Sequence, residues 1–152
     1  MLVTSGRLTG NGVSEYGGLE SELKLANGKF TATDRGRSVR TILSVDEIPT
    51  VIFCGSDLIA MGAMSALEDA GVKIPEDVSI VGIDDISFAF LARPPFTTIS
   101  VPRERLGITA FQVLDKMLKL KRHMGAAYRL ETELIIRRST APARQRKLRL
   151  SK

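Results

Sequence analysis

The sequence predicts an α/β fold in which a parallel sheet is flanked by helices, and three features of residues 49–85 carry that expectation. The stretch reads PTVIFCGSDLIAMGAMSALEDAGVKIPEDVSIVGIDD. Two short apolar runs, 51–54 and 78–83, enclose a segment of helical period that ends at Gly71. That order is strand, helix, strand, close to the minimum length of a βαβ unit. Neither run alternates apolar with polar residues, which fits parallel strands buried on both faces. Each run ends in a polar turn, Gly55-Ser56-Asp57 after the first and Asp84-Asp85 after the second. Open parallel sheets bind ligands beyond the carboxyl ends of their strands. Ser56, Asp57, Asp84 and Asp85 therefore define a candidate ligand-binding edge.

The other elements follow in order. Residues 7–26 place Val13, Tyr16, Leu19, Leu23 and Leu25 at roughly helical spacing. Gly10, Gly12, Gly17 and Gly18 weaken that helix, by up to about 1 kcal/mol each against alanine. Asn27-Gly28 is a stop signal. Thr33 or Asp34 can cap a second helix whose apolar face is Val39, Ile42 and Leu43. Pro49 launches the strand at 51–54. The helix that starts near Asp57 stops at Gly71, a natural left-handed cap. Pro75-Glu76-Asp77 is a turn. Residues 84–95 are irregular or a short helix, closed by Pro94-Pro95. Residues 96–101 (FTTISV) are rich in β-branched side chains and read as a strand. Pro102 then opens an amphipathic helix over 103–121. Its apolar set is Leu106, Ala110, Val113, Leu114, Met117 and Leu118. Residues 129–138 read as a last strand.

At 152 residues, with 43% apolar and 26% charged content, the chain fits one ordinary globular domain. No window approaches the roughly 18 uninterrupted apolar residues of a membrane span. The amino terminus has no secretory signal pattern, and one cysteine suits a reducing cytosol. A cytoplasmic location is expected. Cys54, in an apolar run, reads as a small buried hydrophobe. The net charge of +5 belongs to the end of the chain, since seven of the 22 basic residues fall in the last sixteen positions with no acid among them. The other 136 residues carry 15 basic and 17 acidic groups. A basic tail of this kind binds phosphates without sequence preference or is simply solvated. Residues 140–152 are expected to form a disordered tail on a domain spanning 1–139.

These residues in this order resemble the lactose-repressor/galactose-repressor family of bacterial transcription regulators. The match runs from about Arg7 to Ser139. Its most specific parts are PTVIFCGSDLIAMGAMSALEDAG, IPEDVSIVGIDD, PPFTTISVP and LIIRRST, with weaker matches in RLTG at 7–10 and GKFTATDRG at 28–36. The resemblance implies one lobe of a periplasmic-binding-protein-like (type I) core that binds an effector and forms dimers. It implies the second lobe only, without the helix-turn-helix headpiece, the hinge, the first lobe or the second lobe's opening strand. The chain then corresponds to a fragment. The helix at 103–121 matches one that the family places in the first lobe, so its apolar stripe is expected to lack its usual partner surface.

The resemblance also nominates site residues. Arg7 can donate a pair of hydrogen bonds to hydroxyls or a carboxylate. Phe30 can stack on the apolar face of a sugar or serve the core. Ser56 stands where the family more often has asparagine and offers a hydroxyl, or simply caps the helix that follows. Asp84, the first aspartate of the strand-end pair, can accept two hydroxyl hydrogen bonds, and Arg103 is a further candidate. Asp57 reads as a helix cap rather than a ligand contact, and Asp85 as a cap or loop support. For the dimer contact the matching positions are Met61, Met64, Leu67, Phe88, Phe90, Leu91 and Ala92, with core packing as the alternative. The stretch 87–92 (SFAFLA) is unusually apolar for a loop.

Catalysis has little support. His123, the single histidine, lies in a Lys-Arg-His run, and one histidine with one cysteine makes neither a metal cluster nor a nucleophilic triad. Gly10 and Gly12 follow no visible strand and lack the third glycine of a dinucleotide loop. No enzyme activity, cofactor, metal or membrane is expected. The implied partners are a small-molecule effector, with sugars foremost, and further copies of the chain in a homodimer or higher oligomer. DNA is reached through the headpiece alone. A solute-binding protein of a sugar transporter shares the lobe and is the alternative. A small α/β enzyme comes third.

Overall fold

A computed structural model describes residues 2–3, 25–26, 48–120 and 127–145. The expected helices at 7–26 and after Thr33 fall mostly outside these residues, as do Arg7, Phe30, His123 and positions 146–152. Two described pairs bear on those expectations. Strand β1 (Leu2–Val3) pairs antiparallel with β2 (Leu25–Ala26) and lies alongside β3 (Val51–Phe53). Leu25 and Ala26 are thus extended rather than the end of a helix. Their backbone groups find partners in Leu2 and Val3, just before the Asn27-Gly28 turn. A strand also stands at the chain's start, where the resemblance implied none.

The central sheet has four strands in the order β3, β4 (Ser79–Ile83), β5 (Thr97–Ser100) and β6 (Glu133–Ile135). The first three run parallel, and β6 is antiparallel to β5 through Ile99↔Leu134. The sheet is therefore mixed at one edge. The expected strand at 129–138 shortens to three paired residues, all beyond the core, and Leu134 and Ile136 are exposed.

Helix α1 (Asp57–Asp69) makes the crossover from β3 to β4. Its inner stripe of Ala60, Ala63, Met64 and Leu67 follows the i, i+3, i+4, i+7 pattern and packs on Ile52, Cys54, Val78, Ile80 and Phe96. The alanines let the helix axis approach the sheet closely. Each large buried side chain of this cluster contributes about 1.5–3 kcal/mol. Two bonds close the helix, Gly71 N–H to Glu68 O and Val72 N–H to Leu67 O, both at 2.9 Å. The second spans five residues and requires the left-handed Gly71, whose φ is +70°. Burial pushes the Cys54 thiol up to about 12, so it stays protonated and inert at neutral pH.

Helix α2 (Ser87–Leu91) is anchored by Ala89 alone. Helix α3 (Arg103–Leu120) begins after Pro102, as expected, and buries none of its described side chains. Leu106, Thr109, Ala110, Val113, Leu114 and Met117 face an open groove of about 390 Å³ closed on its far side by Tyr128 and Leu130.

The chain then returns to lock the sheet. The Ser139 hydroxyl donates to Ile80 O at 2.6 Å and accepts from Thr97 N–H at 2.8 Å, while Ser139 O accepts from Ile80 N–H at 2.9 Å. One serine thus satisfies both central strands where they are not yet paired to each other. Beyond it, the chain keeps contact with the lobe as far as Arg144. Ala141 exchanges hydrogen bonds with the Ser79 hydroxyl, and the Arg144 guanidinium donates to the carbonyls of Ile48, Pro49 and Asp77. Those carbonyls lie before β3 and before β4, and the arginine joins the two approaches.

Candidate functional site

The carboxyl ends of β3, β4 and β5 lie at one edge of the sheet, and the residues following them are joined by hydrogen bonds. Ser56, after β3, has an extended backbone (φ −160°, ψ 161°), and its hydroxyl accepts from Ile59 N–H at 3.3 Å. It is the cap of α1. The expectation that Asp57 caps the helix is corrected, because Asp57 is already the first helical residue. Its carboxylate is fully buried instead. Oδ1 accepts from the Thr98 hydroxyl at 2.6 Å and Oδ2 from Ile86 N–H at 2.9 Å. One side chain therefore ties α1 to β5 and to the turn after β4. Burial raises the Asp57 pKa above 3.8; the Thr98 and Ile86 hydrogen bonds oppose that rise, and the negative charges of Asp84 and Asp85 add to it.

The turn itself is strained. Asp84 has φ +115° and Asp85 φ +50°, both in regions that cost a side-chain-bearing residue about 1–3 kcal/mol. Asp84 N–H donates to Ile99 O at 2.9 Å, which extends the β4–β5 ladder by one bond, and Asp84 O accepts from the Arg103 guanidinium. Among the described residues nothing bonds to the Asp84 carboxylate. Asp85 supports the loop, as expected. Its carboxylate pairs with Arg137 at 2.6 Å, and its N–H reaches the Thr98 hydroxyl at 3.4 Å. Arg137 also donates to Phe96 O at 3.1 Å.

Of the five candidate ligand residues, the structure brings Asp84 and Arg103 into contact and sets Ser56 on the same edge, buried in its cap. Arg7 and Phe30 lie outside the described residues. The residues that reading the sequence missed are Thr98 and Gly82. A Cβ on Gly82 would collide with Asp57 Oδ1 and come within 3.0 Å of Phe96. A glycine in a strand interior often marks such a close approach, and Gly82, two positions before Asp84, was that signal.

The dimer candidates divide. Phe88, Phe90 and Leu91 are exposed, and Ala92 is half-buried against the core. Leu67 is fully buried on the inner stripe of α1, and Met64 on the same stripe is mostly buried but lines an open groove with Glu68, Val72, Ile74 and Pro94. Met61, one position off that stripe, is half-buried. Among the described residues no group of three or more His, Cys, Asp or Glu is arranged to hold a metal ion, and no helix is long and apolar enough to cross a membrane.

Residues 6–140 match the family model described as periplasmic binding protein-like domain. A curated relative, the HTH-type transcriptional repressor PurR of Photobacterium profundum, is 36% identical over 115 residues, which are 76% of this chain and 34% of the relative. The chain thus spans about a third of the length of the curated relatives it matches. A LacI family transcriptional regulator from Enterococcus faecium with bound ribose superposes with a TM-score of 0.75 at 29% identity, over 89% of this chain and 49% of that one. The transcriptional regulator CelR in complex with cellobiose gives 0.75 at 28% identity, over 85% and 39%.

Proposed function

We propose that this chain, which belongs to the periplasmic binding protein-like domain family as found in LacI/PurR-type transcriptional regulators, supplies the effector-binding half-cleft and dimer contact of such a regulator. The observation that carries the reading is the turn after β4. A strained Asp84, with a carboxylate that no described residue engages, stands beside Arg103 at the carboxyl edge of a parallel sheet. A carboxylate and a guanidinium at one edge recognise vicinal hydroxyls, and two similar regulators are described with bound ribose and cellobiose. The effector is therefore a sugar or a related polyhydroxylated molecule. Arg7, Phe30 and Ser56 complete this half of the cleft in the same reading. The other half comes from a facing lobe, which also covers the apolar stripe of α3.

The mechanism is allosteric. The effector binds one relative placement of two lobes better than another and so shifts the placement of the DNA-binding headpieces. No catalytic step is assigned. DNA is contacted by the headpiece rather than by this lobe, and the regulator works in the cytoplasm, where it meets DNA. Copies of the lobe associate through Met61, Phe88, Leu91 and Ala92.

The test is Asp84→Asn in a two-lobed regulator that carries this lobe. The effector response, read with D-ribose and cellobiose as probes, should weaken while operator binding persists. An unchanged response overturns the assignment of Asp84.

A further inference from the structure

The Asp84–Asp85 turn stores strain, and strain of this kind persists only where neighbours hold it. Besides Arg103 on Asp84 O and Arg137 on the Asp85 carboxylate, three amides of the turn donate to groups elsewhere in the fold: Asp84 N–H to Ile99 O, Asp85 N–H to the Thr98 hydroxyl, and Ile86 N–H to Asp57 Oδ2. Two of the three pass through the Asp57–Thr98 pair. The pair is wholly buried, and its members are 2.6 Å apart. Thr98 donates to Asp57 and accepts from Asp85, so its single hydroxyl proton is committed to the carboxylate. Gly82 leaves the space that lets Asp57 occupy this position.

We infer that Asp57 is a positioning residue for effector binding: through Thr98 and the Ile86 amide it holds Asp84 in its strained conformation. Asp57 itself is buried and touches no ligand. The inference rests on the proposed binding role of Asp84, but the geometry it assigns to the turn can be measured without any ligand.

The experiment uses the full chain, labelled with nitrogen-15, and follows amide hydrogen exchange in the wild type, Thr98→Val, Thr98→Ser and Asp57→Ala. Valine keeps the volume and strand preference of threonine and removes the hydroxyl; serine keeps the hydroxyl. In Thr98→Val the Asp85 and Ile86 amides should exchange faster by about tenfold, the factor given by losing one hydrogen bond of ordinary net strength. Leu67 and Ile80 should keep their wild-type rates, and Thr98→Ser should restore the turn. Asp57→Ala should free the same two amides. If Asp57→Ala does not fold, the Thr98 pair decides. Unchanged turn amides in Thr98→Val overturn the inference. A uniform acceleration that includes Leu67 and Ile80 also overturns it, since the pair would then hold the whole fold and not the turn. A parallel titration of D-ribose against a two-lobed regulator that carries this lobe and the same substitutions separates the two claims. Binding that weakens in Thr98→Val and returns in Thr98→Ser supports both. A wild-type two-lobed regulator that ignores ribose counts against ribose as effector, while the exchange data still decide the role of Asp57.

Discussion

The Thr98 hydroxyl lies 2.6 Å from Oδ1 of Asp57, a buried contact that spans 41 positions of sequence and joins β5 to the first turn of α1. A carboxylate at a helix amino terminus is favoured by the helix dipole, yet burial dominates here and raises the Asp57 pKa above its value in the unfolded chain. A group raised in the folded state binds its proton more tightly there. Its contribution to stability is full below the unfolded pKa of 3.8 and is lost as pH rises through the folded value. Urea unfolding of wild type and Asp57→Asn across this acidic window tests the sign. The wild type should lose stability relative to the non-titrating variant as pH rises. A pH-independent difference would show that Asp57 titrates alike in both states.

Gly82 reports on the same contact from the strand side. An alanine there drives a methyl group into Asp57 Oδ1 and crowds the Phe96 ring, and neither neighbour is a free side-chain end. Gly82→Ala should destabilise the chain by about 1–3 kcal/mol, the usual range for overpacking a filled core. Denaturant unfolding measures it. A change below about 0.5 kcal/mol, the scale of surface substitutions, would mean that the carboxylate moves aside freely.

How far the sequence revealed this arrangement depended on the range of the interaction. The βαβ unit, the stop at Gly71 and the helix after Pro102 all follow from local pattern and are present, while residues 84–95, left open between irregular and a short helix, hold the short helix Ser87–Leu91. Asp84 was legible because strand-end position is itself a local feature. Asp57 was not, because its partners Thr98 and Ile86 come from other elements, and at the start of a helix an aspartate most simply reads as a cap. Whether Met64 packs inward or faces outward was open for a related reason: its side of α1 is fixed only once the sheet position is known. The short tail contacts of Arg144 carry no sequence signal beyond charge, and charge alone suggested a solvated terminus.

Arg144 makes that last point testable. Its guanidinium reaches the carbonyls of Ile48, Pro49 and Asp77, with Nε the one buried side-chain nitrogen or oxygen among the described residues that lacks a partner. Arg144→Ala should cost about 1–3 kcal/mol by stripping donors from partly buried carbonyls. Arg144→Lys should recover only part of that loss, because an ammonium does not reproduce the planar fork. Unfolding curves that leave Arg144→Ala at wild-type stability would return residues 140–145 to the status of a tail.

Self-association is the remaining expectation, and the structure sharpens which variants address it. Phe88, Phe90 and Leu91 project from a helix held by a single alanine, with Leu91 59% exposed. The second apolar surface is α3, where Leu114 is 55% and Phe111 72% exposed. A contact across α2 repeats the family-like dimer, whereas one across α3 joins surfaces that a facing lobe would cover and can grow irregularly. A charge placed at the centre of either packed contact loses its hydration without gaining a partner, at a cost of about 3–5 kcal/mol, enough to separate the copies at micromolar concentration. Leu91→Asp is the cleaner probe of the first surface, because Met61 also packs on the lobe's own core and Met61→Asp would damage the fold. Leu114→Asp probes the second. Sedimentation velocity should show that Leu91→Asp dissociates a discrete dimer and that Leu114→Asp removes larger species while leaving the dimer. Equal sedimentation of both variants and the wild type would place the contact elsewhere, and a wild-type chain that stays monomeric at high concentration would exclude association through either surface.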